Sequence, residues 1–479
     1  MPVITGKEYI KRINALQSEV WLRGKRVEGN ISEHDAFEGV IKSQAALYDL
    51  QGSPSLEEQM VYASETTGNK IGLSYLIPKT RADLEKRRTM IQHWARFSGG
   101  VMGRSPDYMN TVLASFAASV DVLDNEPGCF PDRLLSFYEY ARENDLSFTH
   151  TFVNPQTNRS SLAFLEKDVT NAAIVDHTDE GIIIDGAKLL ATQGGITDEL
   201  LVFSAPGAQD SSQAYGFSIP SNTAGVSFVC RESFAQNGSR FDYPLASQFE
   251  EMDTIVLFDH VVVPWERVFL HENLRAATNL YVHGKFVPFT LHQITSRQIV
   301  KTEFILGLAQ SIVEMINISD YQHVQSKVVE IMKGLETMKA LMLKAELEGE
   351  VDETGVFVPN KVPLYIAVNQ FQELYPRFTE IIQLLGASGM MTIPAEADFQ
   401  GERGADLDHY LRGAEKAGKE RVALFRLAWD MTMSSFGARQ TLYERFFFGD
   451  PVRLSQTIYR LYDDTEMVSW IEQCIKKAD

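Results

Sequence analysis

Three textures of apolar and polar residues follow one another along the chain. From the start to about Asp145 the apolar positions recur at helical spacing. In TRADLEKRRTMIQHWARFSGG, Leu84, Met90, Ile91 and Trp94 share a face with basic residues between them, and Gly99-Gly100 ends the pattern. TVLASFAASVDVL (111–123) is apolar on nearly every side, which predicts a buried helix. DNEPGCFPD (124–132) carries the Pro, Gly and Asn/Asp of a loop.

Between about 150 and 275 the period shortens to that of strands. GIIIDGAKLLA sets two apolar arms around Asp185-Gly186, which predicts a type I′ hairpin turn. ELLVFSA, YGFSIPS, GVSFVC and DTIVLFDHVVVPWERVFL follow as β-rich runs separated by turn residues. After Asn279 helical spacing returns. Ile305, Leu308, Ile312 and Met315 form one stripe and Val422, Phe425, Trp429, Met433 and Phe436 another, as in a helical bundle. DETGVFVPNKVP (352–363) interrupts two helices. The expected organisation is an α+β chain: a helical domain over 1–148, a β domain over 149–278 and a helical bundle with its tail over 279–479.

Charge narrows the partners. Lys+Arg number 45 against 64 Asp+Glu, a net −19, which repels polyanions and argues against nucleic acid. Cys129, Cys230 and Cys474 lie far apart with neither metal-ligand spacing nor a disulfide framework, so no metal site is expected. The N-terminus lacks the apolar core of a secretory signal, and no run approaches the ~20 apolar residues that span a bilayer. A cytoplasmic protein without membrane contact is expected.

Four segments carry candidate chemistry. MGRSPDYMN (102–110), a loop or helix start by its Gly103 and Pro106, spaces Arg104 and Tyr108 four apart, a fixed cation and a phenol donor suited to a phenolate or a carboxylate. The bland alternative is a surface Arg and a half-buried Tyr. SFTHTFVNPQTNRS (147–160) puts His150 where the helical part meets the strands, then crowds Asn154, Gln156, Asn158 and Arg159 into a turn. Such a run offers donors and acceptors to a polar ring system and one charge to a phosphate. A core histidine beside a turn is the competing reading. LLATQGGITDEL ends a strand at a glycine pair, with Thr192 and Gln193 beside it. YERFFFGDPVR closes an aromatic helix at Gly449 and brings Asp450 to Arg453, with three adjacent phenylalanines that cannot all face one core. His292 ranks lower, as a buried structural histidine. No GxGxxG stands between a strand and a helix, so a flavin would not be held by a dinucleotide fold and NAD(P)H would have no site of its own.

Taken together, AALYDLQ, MGRSPDYMN, SFTHTFVNPQTNR, EEMDTIVLFDHVVVPWERVF, GASGMMTIP and ERVALFRLAWDMTMSSFGARQTLYERFFFGDPVR resemble, in order and over nearly the whole chain, the oxygenase component of the 4-hydroxyphenylacetate 3-monooxygenase family. The resemblance implies an acyl-CoA-dehydrogenase-like fold with a β-barrel-like middle domain, and a homotetramer. It implies FAD, taken as diffusible FADH2 from a separate NAD(P)H:flavin reductase. With O2 this hydroxylates a phenol ortho to its oxygen. By the same resemblance Arg104, Tyr108 and His150 surround the phenol oxygen. His150, Thr151, Phe152, Gln156, Thr157, Asn158, Arg159, Thr192, Asp450, Pro451, Val452 and Arg453 hold the cofactor. One place departs: where members that bind 4-hydroxyphenylacetate carry Ser-Thr for the substrate's acid group, this chain has Ala205-Pro206. A chlorophenol, a simple phenol or another para-substituted phenol therefore stays open. A 4-hydroxybutyryl-CoA dehydratase and an acyl-CoA dehydrogenase share the fold as rival readings; the cysteines do not match the former's cluster ligands.

Overall fold

The structure is a computed structural model that describes residues 3–157, 170–204, 207–235 and 239–476. Its strands in chain order are β1 Val20–Leu22, β2 Lys25–Arg26, β3 Val61–Ala63, β4 Lys70–Gly72, β5 Phe148–Thr151, β6 Ala173–His177, β7 Gly181–Thr192, β8 Glu199–Phe203, β9 Tyr215–Pro220, β10 Val226–Cys230, β11 Asp253–Pro264, β12 Val268–His271, β13 Glu350–Val351 and β14 Phe357–Val358. Helices dominate before β5 and after β12, the order that periodicity predicts.

The helix Arg81–Phe97 starts at a Thr80–Asp83 capping box and buries Leu84, Met90, Ile91 and Trp94. Gly99 and Gly100 end it with φ of 63° and 75°, a left-handed pair in which Gly100 lies against the backbone of Lys301. The next helix, Pro106–Ala117, is buried at every position, including the polar Asp107 and Asn110 that precede the apolar stretch. It stops at Ala117, and Val120–Leu123 forms a short 3-10 turn instead of continuing it.

Two sheets make the middle. One has six strands in the order β2-β1-β10-β11-β7-β6; the other has four, β12-β9-β8-β5. Each is an open sheet, not a closed barrel. β1 and β2 come from the N-terminal helical part, where three- and two-residue strands are too short to show a period. The expected hairpin at Asp185-Gly186 is not formed. β7 runs on through both residues, paired with β11 along its length, and the register slips opposite them between Phe258 and Val261. Gly186 has φ 115°, and a Cβ there would meet Asn171 O at 2.6 Å. The dipeptide serves a bulge and a close backbone approach, which share the turn's need for glycine.

The C-terminal helices Phe286–Met315, Gln322–Leu347, Lys361–Gly386, Gly418–Thr432 and Ser435–Phe446 pack together. The stripe from Val422 to Phe436 is not continuous: one helix ends at Thr432, Ser434 caps the next, and Met433 is exposed. No helix among the described residues is long and apolar enough to cross a membrane. All three cysteines are free thiols.

Candidate active site

The Arg104 main chain is gripped from three sides. Its amide and that of Gly103 donate to the two carboxylate oxygens of Glu251, at 2.6 and 2.9 Å. Its carbonyl accepts from the side-chain amides of Gln44 at 2.9 Å and Gln193 at 3.1 Å. Glu251 is fully buried and stands just before β11. Gln193, at the end of β7, takes the left-handed φ of 64° and donates its own amide to Met252 O. At Gly103 a side chain would overlap the Tyr443 phenol, so only glycine lets the two approach.

Held this way, the Arg104 guanidinium lies 4.3 Å from the Tyr108 ring centre and 4.5 Å from that of Phe447. Arg104 precedes the Ser105 N-cap of the Pro106–Ala117 helix and Tyr108 lies in its first turn, so the pair meets through the bend of the chain into the helix. Nη1 donates to the Tyr443 phenol oxygen at 2.8 Å. Phe447 stacks on Tyr443 at 4.7 Å and meets Tyr108 edge-on at 5.4 Å. Of the three adjacent phenylalanines, Phe447 thus turns into the site, while Phe446 is exposed.

β5 pairs in parallel with β8 and is buried throughout. It sets His150 against Tyr108, centre to centre 5.8 Å, and against Phe152 at 4.6 Å. Beyond Phe152 lie Phe203, Tyr281 and Phe286, so one side of the site is aromatic. Burial, and after it the Arg104 charge, holds the His150 imidazole well below the usual histidine range, so it is neutral at physiological pH. Burial pushes the Tyr108 phenol up and keeps it protonated. Arg104 Nε, His150 Nδ1 and Asn154 Oδ1 are enclosed, with no hydrogen-bond partner among the described residues. Unpaired buried polar atoms are expensive, and those of Arg104 and His150, both set against Tyr108, mark a place built for polar groups brought from outside.

The remaining predicted residues are spread around this centre. Thr151 donates its hydroxyl to Leu189 O at 2.7 Å, leaving its amide and carbonyl to the β5–β8 ladder. Gln156 and Thr157 are exposed beyond Asn154. Asn158, Arg159, Ala205 and Pro206 lie outside the described residues. Thr192 donates to Asp253 at 2.8 Å, and Asp253 is also held by Arg439 at 2.6 and 2.9 Å. Burial would raise the Asp253 carboxyl, but Arg439 and then Arg231 outweigh it and hold it far below the carboxylate range. Asp450 caps the helix Pro451–Leu461 by accepting the amides of Val452 and Arg453, and that helix leaves Arg453 exposed. Gln372 and Asn369 anchor the turn through Gly449 O and Pro451 O.

His292 belongs elsewhere. Its Nε2 lies 2.9 Å from Glu346, which Arg88 also grips, in a buried cluster between two bundle helices. Glu251 and Gln44 are the residues that the sequence reading misses. Their only trace is the acidic pair Glu250-Glu251 ahead of an apolar strand, which is an ordinary strand boundary.

The site fits a flavin. A flat, polar-edged ring needs aromatic walls, backbone approach and unpaired donors and acceptors, and the β5 junction supplies each. The exposed Arg453 guanidinium suits a phosphorylated tail. Helical, β and helical parts in this order, with such a site at the first junction, make the architecture acyl-CoA-dehydrogenase-like. Sequence comparison goes further: the 4-hydroxyphenylacetate 3-hydroxylase N-terminal family matches residues 5–270 and its C-terminal counterpart residues 277–476. The chain is 53% identical to a probable 4-hydroxyphenylacetate 3-monooxygenase of Bacillus subtilis, over 98% of both chains. It is 42% identical to the 4-hydroxyphenylacetate 3-monooxygenase oxygenase component of Thermus thermophilus, over 99% of this chain and 98% of that one. A crystal structure of such an oxygenase component with FAD and 4-hydroxyphenylacetate superposes with a TM-score of 0.93 at 41% identity, covering 99% of each chain. The chain belongs to the 4-hydroxyphenylacetate 3-hydroxylase family, and is a flavin-dependent monooxygenase.

Proposed function

We propose that the chain is the oxygenase component of a two-component system that takes reduced FAD and O2 and hydroxylates 4-hydroxyphenylacetate ortho to its phenol oxygen, giving the catechol. The observation that carries this reading is the convergence of Arg104, Tyr108 and His150, with His150 Nδ1 and Arg104 Nε enclosed and unpaired. Bound reduced FAD supplies the electrons that activate O2. The protein's part is to make the ring electron-rich and the site dry. Arg104 favours the phenolate over the phenol, and Tyr108 donates a hydrogen bond to the same oxygen. His150, neutral because it is buried, has Nδ1 free to take the phenol proton. Phe152, Phe203 and Phe447 keep water from the reacting groups.

In this reading His150 to Phe152 and Gln156 to Arg159 line the flavin, Thr192 stands near its reactive edge, and Asp450 to Arg453 hold it further out. Ala205 and Pro206 border the para substituent, and their lack of hydroxyls supports a second reading, a phenol without a carboxylate arm. The divisions 1–148, 149–278 and 279–479 serve as domains, with β5 opening the second. Tyr459, Met467, Trp470, Ile471 and Ile475 are exposed on the last two helices and support assembly of copies, as a homotetramer. A cytoplasmic NAD(P)H:flavin reductase completes the system. Mixing the chain with NADH, FAD, O2 and 4-hydroxyphenylacetate should give no catechol until an unrelated flavin reductase is added. Turnover in a reductase-free mixture, or no catechol with the reductase present, contradicts the two-component reading.

A further inference from the structure

Away from the flavin and phenol residues, two imidazoles and a carboxylate meet where the two sheets come together. His177 ends β6 of the six-stranded sheet, His271 ends β12 of the four-stranded one, and Glu272 follows with φ 54°. His177 Nε2 lies 3.4 Å from Glu272 Oε2, and His271 Nδ1 lies 3.7 Å from the same oxygen. All three atoms fall within 4.8 Å of one another. A tetrahedral ion with bonds of about 2.0–2.1 Å sets its ligand atoms about 3.4 Å apart. The two spacings to Glu272 already lie close to that distance.

The rings are held for this purpose. His271 stacks parallel to Phe130 at 5.8 Å and meets Trp265 edge-on at 5.3 Å; His177 stacks on the other part of Trp265 at 6.3 Å. The Trp265 indole is itself fixed by donating to Thr178 O at 3.0 Å. The Glu272 amide donates to Ala214 O at 2.6 Å, which sets the carboxylate's origin. His271 Nδ1 is enclosed and lacks a hydrogen-bond partner, although it faces Glu272.

We propose that His177 Nε2, His271 Nδ1 and Glu272 bind a divalent transition ion, Zn2+ by the preference of two imidazoles and one carboxylate, with water in the fourth position. His177 and Glu272 are half exposed, each side chain at 42%, so the open position faces solvent. The ion would clamp the end of β6 to the end of β12 and so tie the two sheets together. The test uses the full chain without a histidine tag, stripped with chelator and titrated with Zn2+ alone by calorimetry, with Co2+ absorption as a second reading of geometry. The parent should bind one Zn2+ per chain, show the visible bands of tetrahedral Co2+, and melt at a higher temperature with the metal. His177→Ala, at a half-exposed position, and Glu272→Gln should each weaken Zn2+ by more than about tenfold and lose the melting shift. Absence of saturable binding to the parent, or equal affinity in parent and both variants, overturns the site.

Discussion

Glu251 orients Arg104 without touching its guanidinium: the carboxylate accepts the amides of Gly103 and Arg104 and so fixes where the charged side chain begins. It is therefore a positioning residue. Glu251→Gln keeps the size but turns one acceptor into a donor that faces an amide. The phenol KM should rise about tenfold, the equivalent of one lost charged hydrogen bond of about 1.5 kcal/mol, while affinity for reduced FAD stays within about twofold. An unchanged phenol KM in a folded variant would separate Glu251 from the site.

Arg453 stands in the first turn of an exposed helix whose amides are capped by Asp450. If it meets the cofactor's anionic part, Arg453→Ala should weaken reduced-FAD binding about tenfold to a hundredfold, from loss of ~1.5–3 kcal/mol. Phenol binding should change less. Equal affinity of parent and variant for reduced FAD, measured anaerobically, removes Arg453 from the site.

A buried ion cluster joins the helix that carries Tyr443 to the long bundle helix. Arg297 donates to both Glu444 oxygens at 2.7 and 3.0 Å and Lys301 to one at 2.8 Å, all three side chains being almost wholly buried. Burial pushes the Glu444 carboxyl up, but Arg297 and Lys301 outweigh it and hold it at about 2. Burial brings Lys301 down to about 8, so it is charged at pH 7. A depressed carboxyl stabilises the fold above its unfolded value of about 4.3, and that contribution drains away as pH falls from there towards 2. Glu444→Ala should lose about 3–5 kcal/mol at pH 7, because two cations remain buried without it. Urea unfolding at pH 7 and pH 3 should show a gap between variant and parent that is about 1–2 kcal/mol smaller at the lower pH. A gap independent of pH would mean that packing, not charge, is what the residue supplies.

The order of helices, strands and helices is legible because each part repeats its period over many residues. Leu84, Met90, Ile91 and Trp94 are buried as their spacing predicts. Asp185-Gly186 misleads because a local turn signature also suits a bulge, and only the pairing of β7 with β11 decides between them. The polar run from His292 to Thr302 is buried on every side, yet no amphipathic pattern can show it, since its partners Glu444, Gln440 and Glu346 come from other helices. Arg104 and Tyr108 are close in sequence, at the entry to one helix, and can be paired on that ground. Their meeting with His150 follows from the family resemblance and not from any local pattern, and the grip of Glu251 on Arg104 is a product of tertiary structure alone.

If His150 takes the phenol proton, its loss should uncouple oxygen use from catechol formation. His150→Ala leaves Arg104, Tyr108 and the cofactor's other contacts in place, so reduced FAD should still be consumed by O2. Without a base the ring stays a weaker nucleophile, and oxygen transfer should slow by roughly 10²–10⁴. Catechol formed per O2 consumed should then fall to a small fraction of the parent's, with the balance appearing as hydrogen peroxide. A variant that couples oxygen to catechol as well as the parent does would contradict the assignment of His150.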